Sequence, residues 1–327
     1  MHNFIIRSIL AALTACSCLL SNVASAQDYP SKPIRWIVPY PAGGGTDFVT
    51  RTLVERLSAQ MGQVILVDNK GGAAGAIGMQ AAAQATPDGY TVVTGENGSL
   101  AINPSIYKKL AYSPTKDYRT VSLFAKNPFL LVVNPHVVPV TNFQEFVKYV
   151  QANPGKVSYA SFGSGSIAHV MMELLKERTG LDLTHISYKG ASPALQDLLG
   201  GYVGVMFVDY GSAMANMSTG RLLPLAVSTK ERHPLLPDLP SLQELGVRDY
   251  DEFSWLGVMV PAKTPDAIVT RLRDETHKAL KAPELLRAYA ERGVIPMPSD
   301  EVEFTRLLRD DIAKWAEIVR KANIQAD

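Results

Sequence analysis

The sequence predicts an α/β protein of two lobes with parallel sheets, joined by two crossover strands. Apolar strand segments alternate with segments of helical periodicity along most of the chain, and this alternation is typical of parallel sheets. A loop of small residues follows a strand and opens a helix four times. Two further apolar strands, at residues 129–133 and 255–260, flank a central α/β block, as expected where a chain leaves one lobe and returns. We therefore place the first lobe at residues 27–126 and 259–327 and the second at residues 127–258.

Residues 1–26 have the pattern of a cleavable export signal. Arg7 supplies the positive charge, an apolar run follows at residues 8–20, and Ala24-Ser25-Ala26 fits the cleavage site. We therefore expect the mature protein in the periplasm. One alternative stays open, because Leu13-Thr14-Ala15-Cys16 resembles a lipoprotein cleavage box and would tether the protein through a lipid on Cys16. The apolar residues that continue past Cys16 favour simple cleavage.

The composition of the mature chain excludes several classes of function. Cys16 and Cys18 both lie in the signal, so no cysteine remains for a disulfide, a metal site or thiol catalysis. Removing Arg7 with the signal leaves 31 basic and 31 acidic side chains. This balance, without a basic stripe, argues against nucleic acid as a partner. We expect a monomer without a cofactor.

The elements of the first lobe follow from short apolar runs and the loops after them. Residues 34–38 predict a buried strand, and Phe48, Leu53, Val54 and Leu57 then recur at helical spacing. Further elements are strands at residues 64–67 and 90–93 and an Ala-rich helix at residues 76–84.

In the second lobe, Asn142 is a helix N-cap and Pro193 lies in the first turn of another helix. The predicted strands are residues 129–133, 157–160, 184–188, 202–208, 223–227 and 255–260. The predicted helices are residues 143–152, 167–178 and 193–200, followed near the C-terminus by residues 265–280, 283–292 and 300–321.

The four small-residue loops are the candidate site, and we name them loop A (residues 39–45), loop B (71–75), loop C (162–166) and loop D (189–192). Backbone amides at a helix N-terminus have no intrahelical partner and point outward with the positive end of the helix dipole, which suits a carboxylate. Small residues let a ligand approach that backbone closely. Two loops in each lobe, all at the carboxyl ends of strands, are expected to face each other across a cleft.

Some of these residues are also compatible with other functions. Any single loop could be a tight turn that only packs a helix on a sheet. Loop C also fits the dinucleotide pattern G-x-G-x-x-A through Ala168, with Asp182 about 20 residues further on, so a nicotinamide-dependent oxidoreductase is an alternative. The serines give no G-x-S-x-G motif. His169 and Glu173 share a helix face, but two ligands without a third do not make a metal site.

The mature chain resembles the substrate-binding proteins of tripartite tricarboxylate transporters, the Bug or TctC-like family. The resemblance rests on several motifs in order along the whole mature chain. These are YPSKPI (29–34), VPYPAGGGTD (38–47), DNKGGAAG (68–75), YASFGSGS (159–166) with His169, YKG (188–190) leading to DLLGG (197–201), PDLPS (237–241), WLG (255–257) and PAKTP (261–265).

The resemblance implies a type II periplasmic-binding-protein fold that closes on a small organic carboxylate, either aromatic or a dicarboxylate. It also implies a partner made of small and large integral-membrane subunits, TctB-like and TctA-like. In that family the loop at residues 40–47 holds a ligand carboxylate through backbone amides and ordered water. A periplasmic sensor subunit for the same ligand class stays open as an alternative. The predicted ligand-binding residues are Tyr40, Ala42, Gly43, Gly44, Thr46, Asp47, Gly72, Ala73, Asn97, Ser161, Phe162, Gly163, Ser164, Ser166, His169, Tyr188 and Asp209.

Two departures from the family pattern bear on the ligand. Phe162 stands where the family usually has a small residue, and residues 96–99 (ENGS) differ from the pattern expected after the strand at Tyr90. A ring beside the cleft would narrow it or stack on a flat ligand, which predicts an aromatic or otherwise planar carboxylate.

Overall fold

Residues 29–325 are described by the computed structural model, and the predicted export signal lies outside them. The strands are β1 (Ile34–Val38), β2 (Ile65–Asn69), β3 (Thr91–Glu96), β4 (Tyr118–Val133), β5 (Val157–Ser161), β6 (Leu183–Ser187), β7 (Val205–Asp209), β8 (Leu223–Val227), β9 (Phe253–Pro261) and β10 (Ile295–Pro296). The α-helices are α1 (Gly45–Met61), α2 (Ala76–Ala83), α3 (Asn103–Ile106), α4 (Phe143–Ala152), α5 (Ile167–Thr179), α6 (Ala191–Gly200), α7 (Tyr210–Met217), α8 (Asp266–Ala279), α9 (Pro283–Glu291) and α10 (Glu301–Lys321).

The strands form one sheet in the order β2-β1-β3-β9-β4-β7-β5-β6, and β8 and β10 also pair with β4. At one end β1 runs parallel to β2 and β3, and at the other end β5 runs parallel to β6 and β7. In the middle β9 is antiparallel to both β3 and β4. Each outer half is therefore parallel, as the alternation of strands and helices predicts, whereas the middle is antiparallel.

Strand β4 carries the chain from one half of the sheet to the other. Residues 118–128 pair with β9, and residues 129–133 pair with β7 and β8. Strand β9, from Phe253 onward, brings the chain back. The two halves are thus joined by two adjacent strands, and the predicted lobe boundaries at residues 126–127 and 258–259 stay a prediction.

Each half has its own apolar core. In the first half, Trp36, Leu53 and Leu57 are fully buried between β1 and α1, and the Trp36 indole N–H donates to Thr94 Oγ1 at 2.8 Å. In the second half, Phe146 and Tyr159 are equally buried. Burying such a side chain stabilises the fold by about 2–3 kcal/mol relative to leaving it in water. Each half therefore has a core of its own that holds its loops in fixed positions.

Ser228 ties the two crossover strands together. Its hydroxyl accepts a hydrogen bond from Phe129 N at 3.0 Å and donates one to Glu252 O at 2.5 Å. Its backbone N–H donates to Phe129 O and its carbonyl accepts from Glu252 N, both at 2.9 Å. Ser228 therefore links the two crossover strands at the point where they pass between the halves.

A charged cluster lies beside this point. Lys314 Nζ lies 2.7 Å from Glu252 Oε2 and 3.0 Å from Asp311 Oδ1, and Trp255 Nε1 donates to Asp311 Oδ2 at 2.7 Å. Burial raises the pKa of Glu252 to about 7, because the opposing effect of Lys314 is smaller and Asp311 adds to the rise. Two buried carboxylates thus share one lysine.

Helix α10 packs on both halves. It begins with a capping box, in which Asp300 accepts from Glu303 N and Glu303 Oε2 accepts from Asp300 N, so the predicted helix start is confirmed. Near its start Phe304 packs against Trp255 in the first half, and further along Trp315 joins the core of the second half. The C-terminal helix therefore spans the crossover region.

Candidate ligand-binding site

Loop A ends in a helix whose first turn lacks a side-chain cap. Gly44 is the N-cap residue of α1, in extended conformation, and among residues 29–325 no side-chain cap hydrogen bond is made there. The predicted contacts Ala42, Gly43 and Gly44 are all exposed. A Cβ placed on Gly43 or Gly45 would meet no heavy atom within 4 Å. The backbone here faces open space, as a loop that receives a ligand requires.

Asp47 holds the shape of loop A from within. It accepts hydrogen bonds from Gly43 N at 2.8 Å, from Asn69 Nδ2 at 2.8 Å and from Arg51 Nε at 2.9 Å. Burial works to raise the pKa of Asp47, but these hydrogen bonds prevail and lower it. Asn69 Nδ2 also donates to Tyr40 O at 3.1 Å. The structure therefore places the Asp47 carboxylate inside the loop, where it positions the backbone.

Replacing Asp47 by alanine should loosen loop A and destabilise the fold by about 1–3 kcal/mol, because the Gly43 amide and the Asn69 side chain lose a charged acceptor. Urea unfolding measures the change. Asp274→Ala is the control, since that aspartate forms an exposed pair with the adjacent Arg273 and should change stability by less than about 0.5 kcal/mol. Equal losses in the two variants would contradict a scaffolding role for Asp47.

Glu96 accepts hydrogen bonds from loop A and from the start of α1, and Tyr40 joins loop A to loop B. Tyr40 Oη donates to Glu96 Oε1, and Thr46 Oγ1 donates to Glu96 Oε2 at 3.2 Å. Burial raises the pKa of Glu96 against the effect of both hydrogen bonds. The Tyr40 ring packs on Gly75, where a Cβ would approach its Oη to 3.2 Å. Tyr40 and Thr46 are thus anchored from below, with their side chains turned to Glu96.

Asn97 is buried and its side chain is engaged with β9. Its Nδ2 donates to Phe253 O at 2.9 Å, and its Oδ1 accepts from Ser254 Oγ at 3.4 Å. In loop B, by contrast, Gly72 and Ala73 are exposed. The ligand contact predicted at Asn97 stays a prediction, and the structure gives this side chain a role in holding the returning crossover strand.

Loops C and D lie against each other in the second half. Gly190 N donates to Phe162 O at 3.1 Å, and Tyr188 N donates to Ser161 O at 3.2 Å. Tyr188 Oη turns away to Asp197 Oδ2, at 2.7 Å. A Cβ on Gly190 would meet nothing within 4 Å, so loop D, like loop A, exposes its backbone.

Two stacked histidines support loop C from below. The rings of His169 and His185 have centroids 3.7 Å apart. His169 Nδ1 accepts from Gly165 N at 3.0 Å, and His185 Nε2 is 2.7 Å from Ser161 Oγ. Gly163 N also lies 3.3 Å from Ser161 Oγ, which it can use as an acceptor. His169 and Ser161, both predicted ligand contacts, are buried and shape the loop backbone.

Ser166 differs from its neighbours in loop C. It is the N-cap residue of α5, its hydroxyl makes no cap hydrogen bond, and the buried Oγ has no hydrogen-bond partner among residues 29–325. Ser164 Oγ, by contrast, lies 3.4 Å from Ser187 Oγ. A buried hydroxyl without a partner is uncommon in folded proteins and points to a group that would complete it.

A cavity of about 60 Å³ opens beside loops C and D. Asp209 caps α7 at its edge, with Oδ1 accepting from Ser212 N at 2.9 Å and Oδ2 from Ser212 Oγ at 2.6 Å. The lining is apolar except at the starts of α6 and α7 and consists of Phe162, Ala191, Ser192, Leu195, Val208, Asp209 and Ser212. An engineered cavity that binds benzene measures about 150 Å³, so this one suits a smaller group, and the planar ligand expected from Phe162 stays a prediction.

Helix α3 connects the two pairs of loops. Asn103 Nδ2 donates to Ala74 O of loop B at 2.9 Å. Ile106 packs on Gly165 of loop C so closely that a Cβ there would overlap its Cδ1. Gly165 also has a φ of 74°, which favours glycine. Sequence reasoning missed Asn103 and Ile106, and the Asn103-Pro104 dipeptide was the available signal for a chain turn there.

The dinucleotide alternative does not fit this geometry. Asp182 comes just before β6 and its carbonyl accepts from Gly155 N, which precedes β5. It therefore lies at the end of the sheet opposite to loop C, where it could not reach a ribose bound there. Within the described part of the chain, no group of three or more histidine or acidic side chains is placed to hold a metal ion. Across residues 29–325 none of the helices combines the length and apolarity needed to span a bilayer.

Comparison with known proteins gives a consistent family. A family model described as the tripartite tricarboxylate transporter family receptor matches residues 49–324. Protein BugT of Bordetella pertussis is 33% identical over 298 residues, which cover 91% of each chain. A Rhodopseudomonas palustris protein solved with adipate superposes with a TM-score of 0.81 at 32% identity, over 92% of this chain and 100% of its own. MatC from the same organism, solved with malate, superposes with a TM-score of 0.76 at 29% identity, over 89% of this chain and 100% of its own.

These matches confirm the predicted fold of a periplasmic binding protein and exclude the oxidoreductase alternative, because the family consists of solute-binding receptors and not enzymes. The two α/β halves joined by β4 and β9 agree with this fold. The chain belongs to the tripartite tricarboxylate transporter receptor family, also called TctC, and is a solute-binding protein.

Proposed function

We propose that this protein captures a small organic carboxylate in the periplasm and delivers it to the small and large integral-membrane subunits of a tripartite tricarboxylate-type transporter. The observation that carries the proposal is the exposure of backbone at the helix N-termini that follow loops A and D. Loops A and D present glycines with open space above them, at residues 43, 45 and 190. The adipate and malate found in two similar structures support an anionic ligand.

The proposed binding mode uses backbone donors of opposite halves. One carboxylate is held by the amides at the start of α1, where the helix dipole adds to their attraction. The rest of the ligand lies toward loops C and D, where the Ser166 hydroxyl has no hydrogen-bond partner among residues 29–325. Asp47, Glu96 and His169 contribute indirectly, by holding the loop backbones in position. Because the donors belong to both halves, the ligand stabilises the closed arrangement over the open one.

A paired substitution at Gly45 tests this mode. Gly45 is the first residue of α1, where proline is well tolerated, and Gly44 before it is already extended, as a residue preceding proline must be. Gly45→Pro should therefore keep the fold but delete one amide donor, and the affinity for the carboxylate should fall about 10- to 100-fold. Gly45→Ala keeps that amide and adds a Cβ in open space, so it is the matched control.

Ligands are first found by thermal shift with a panel of mono- and dicarboxylates, and affinities are then measured by isothermal titration calorimetry. A ligand that binds only the folded state raises Tm. If no acid of the panel shifts Tm of ligand-free protein, carboxylate capture is wrong. If acids bind but the two Gly45 variants bind equally well, the start of α1 is not the carboxylate site.

A further inference from the structure

Arg292 lies between the first turns of two helices that belong to opposite halves of the sheet. Its guanidinium carbon is 4.6 Å from the centre of the Phe48 ring, one turn into α1 from loop A. Its Cδ is 3.9 Å from the point where a Cβ of Gly211 would stand, in the first turn of α7. Asp209 Oδ1, at the edge of the cavity, is 3.3 Å from that same point. The side chain therefore stands beside both ends of the candidate site.

The backbone that carries Arg292 is fixed from the second half. His233 Nε2 lies 3.0 Å from Gly293 O, and its Nδ1 accepts from Leu235 N at 3.1 Å, so Nε2 carries the proton and donates it to that carbonyl. The Tyr210 ring stacks on His233 with centroids 4.7 Å apart and packs on Gly293, where a Cβ would overlap it. These contacts hold the backbone next to Arg292, and the guanidinium itself lies over the Phe48 ring.

The donors of this guanidinium remain usable. The contact with the Phe48 ring is made by the charge of the guanidinium and does not consume its five N–H donors. Within residues 29–325 no carboxylate lies within ion-pair distance of Arg292, and the side chain is exposed. An arginine in this state can grip a carboxylate with two parallel hydrogen bonds.

We infer that Arg292 is a specificity-determining residue that binds a second carboxylate of the ligand and makes the protein prefer dicarboxylates to monocarboxylates. This inference rests on the proposed capture of an organic acid. The cavity end of the site otherwise contributes only one ionic group, Asp209, whose negative charge repels a second carboxylate. Arg292, which lies near Asp209, offsets this negative charge and supplies directional donors.

The test compares acids of equal chain length that differ only in the second carboxylate. Affinities of the full chain for succinate, glutarate and adipate are measured by calorimetry beside those for butyrate, pentanoate and hexanoate. Arg292→Gln should weaken the best dicarboxylate about 10- to 100-fold and leave its monocarboxylate partner within about twofold. Arg292→Lys should recover part of the loss, because lysine keeps the charge without the two-pronged donor geometry.

Arg287→Gln is the matched control, since it removes an exposed positive charge five residues earlier in α9 and should leave both series unchanged. A thermal melt of each ligand-free variant verifies folding. If Arg292→Gln weakens the binding of both series equally, or of neither, Arg292 does not bind the second carboxylate and the inference is wrong. The proposed capture of an organic acid is not contradicted by that result. If the wild-type protein binds none of these acids or the wider panel, both proposals fall.

Discussion

Replacing Lys314 by methionine is expected to destabilise the protein by about 2–4 kcal/mol at pH 8. Lys314 is the cation between Glu252 and Asp311, whose side chains are only 5% and 7% exposed. Removing one partner of a buried ion pair leaves charge that nothing compensates, at a cost of about 3–5 kcal/mol. Because Lys314 itself is 34% exposed, solvent reduces the effect somewhat.

The control is a lysine on the same helix. Lys321 forms ion pairs with Glu177 and Glu317, all at the surface, and Lys321→Met should cost less than about 1 kcal/mol. Urea unfolding at pH 8 measures both variants. The loss for Lys314→Met should shrink at pH 6, since a carboxylate without its cation takes up a proton. A loss as small as that of Lys321→Met would show that the cluster is screened by water.

The second large effect is a fall in stability as the pH rises. Burial raises the pKa of Glu252 in the folded protein from 4.5 to about 7. Between these values the folded state holds a proton that the unfolded state has released, so this stabilisation is complete below pH 4.5 and is lost as the pH rises through 7. Since one pKa unit corresponds to about 1.4 kcal/mol and the two pKa values differ by about 2.5 units, the loss is at most about 3.5 kcal/mol.

Glu252→Gln isolates this contribution. Glutamine imitates the protonated side chain at every pH, and so the variant should lose the part of the slope that Glu252 causes. Free energies of unfolding are measured for both proteins in urea at pH 5, 6, 7 and 8. Subtracting the free energy of unfolding of one protein from that of the other removes the contributions of Glu96, His233 and all other groups, because these groups titrate in both proteins. Parallel curves would mean that Glu252 is ionised throughout this range.

Elements with local signals could be predicted from the sequence. Strands β1 and β8 and helix α4 have the predicted bounds, because apolar runs, the Asn142 cap and neighbouring turn residues define them without help from the rest of the chain. The four loops and their pairing within each half also follow from a simple rule, since carboxyl ends of parallel strands meet at one edge.

Elements that depend on distant partners could not be predicted. The predicted strand at residues 129–133 is only the end of β4, which begins at Tyr118. Its first part contains Arg119 and Ser122, polar residues that break the apolar run. Arg119 is paired with Glu301, and Ser122 Oγ lies 3.1 Å from His277 Nε2, more than 150 residues away. The same limit applies to the site, where α3 is too short to leave a periodic pattern and Arg292 belongs to no motif.

The position of β9 has a consequence for the order in which this protein can fold. Strand β9 lies between β3 and β4, so the first half of the sheet has a gap where its middle strand belongs until residues 253–261 join it. A nascent chain that has reached residue 250 therefore cannot yet complete its first half. Completion of the sheet therefore waits for the last quarter of the polypeptide.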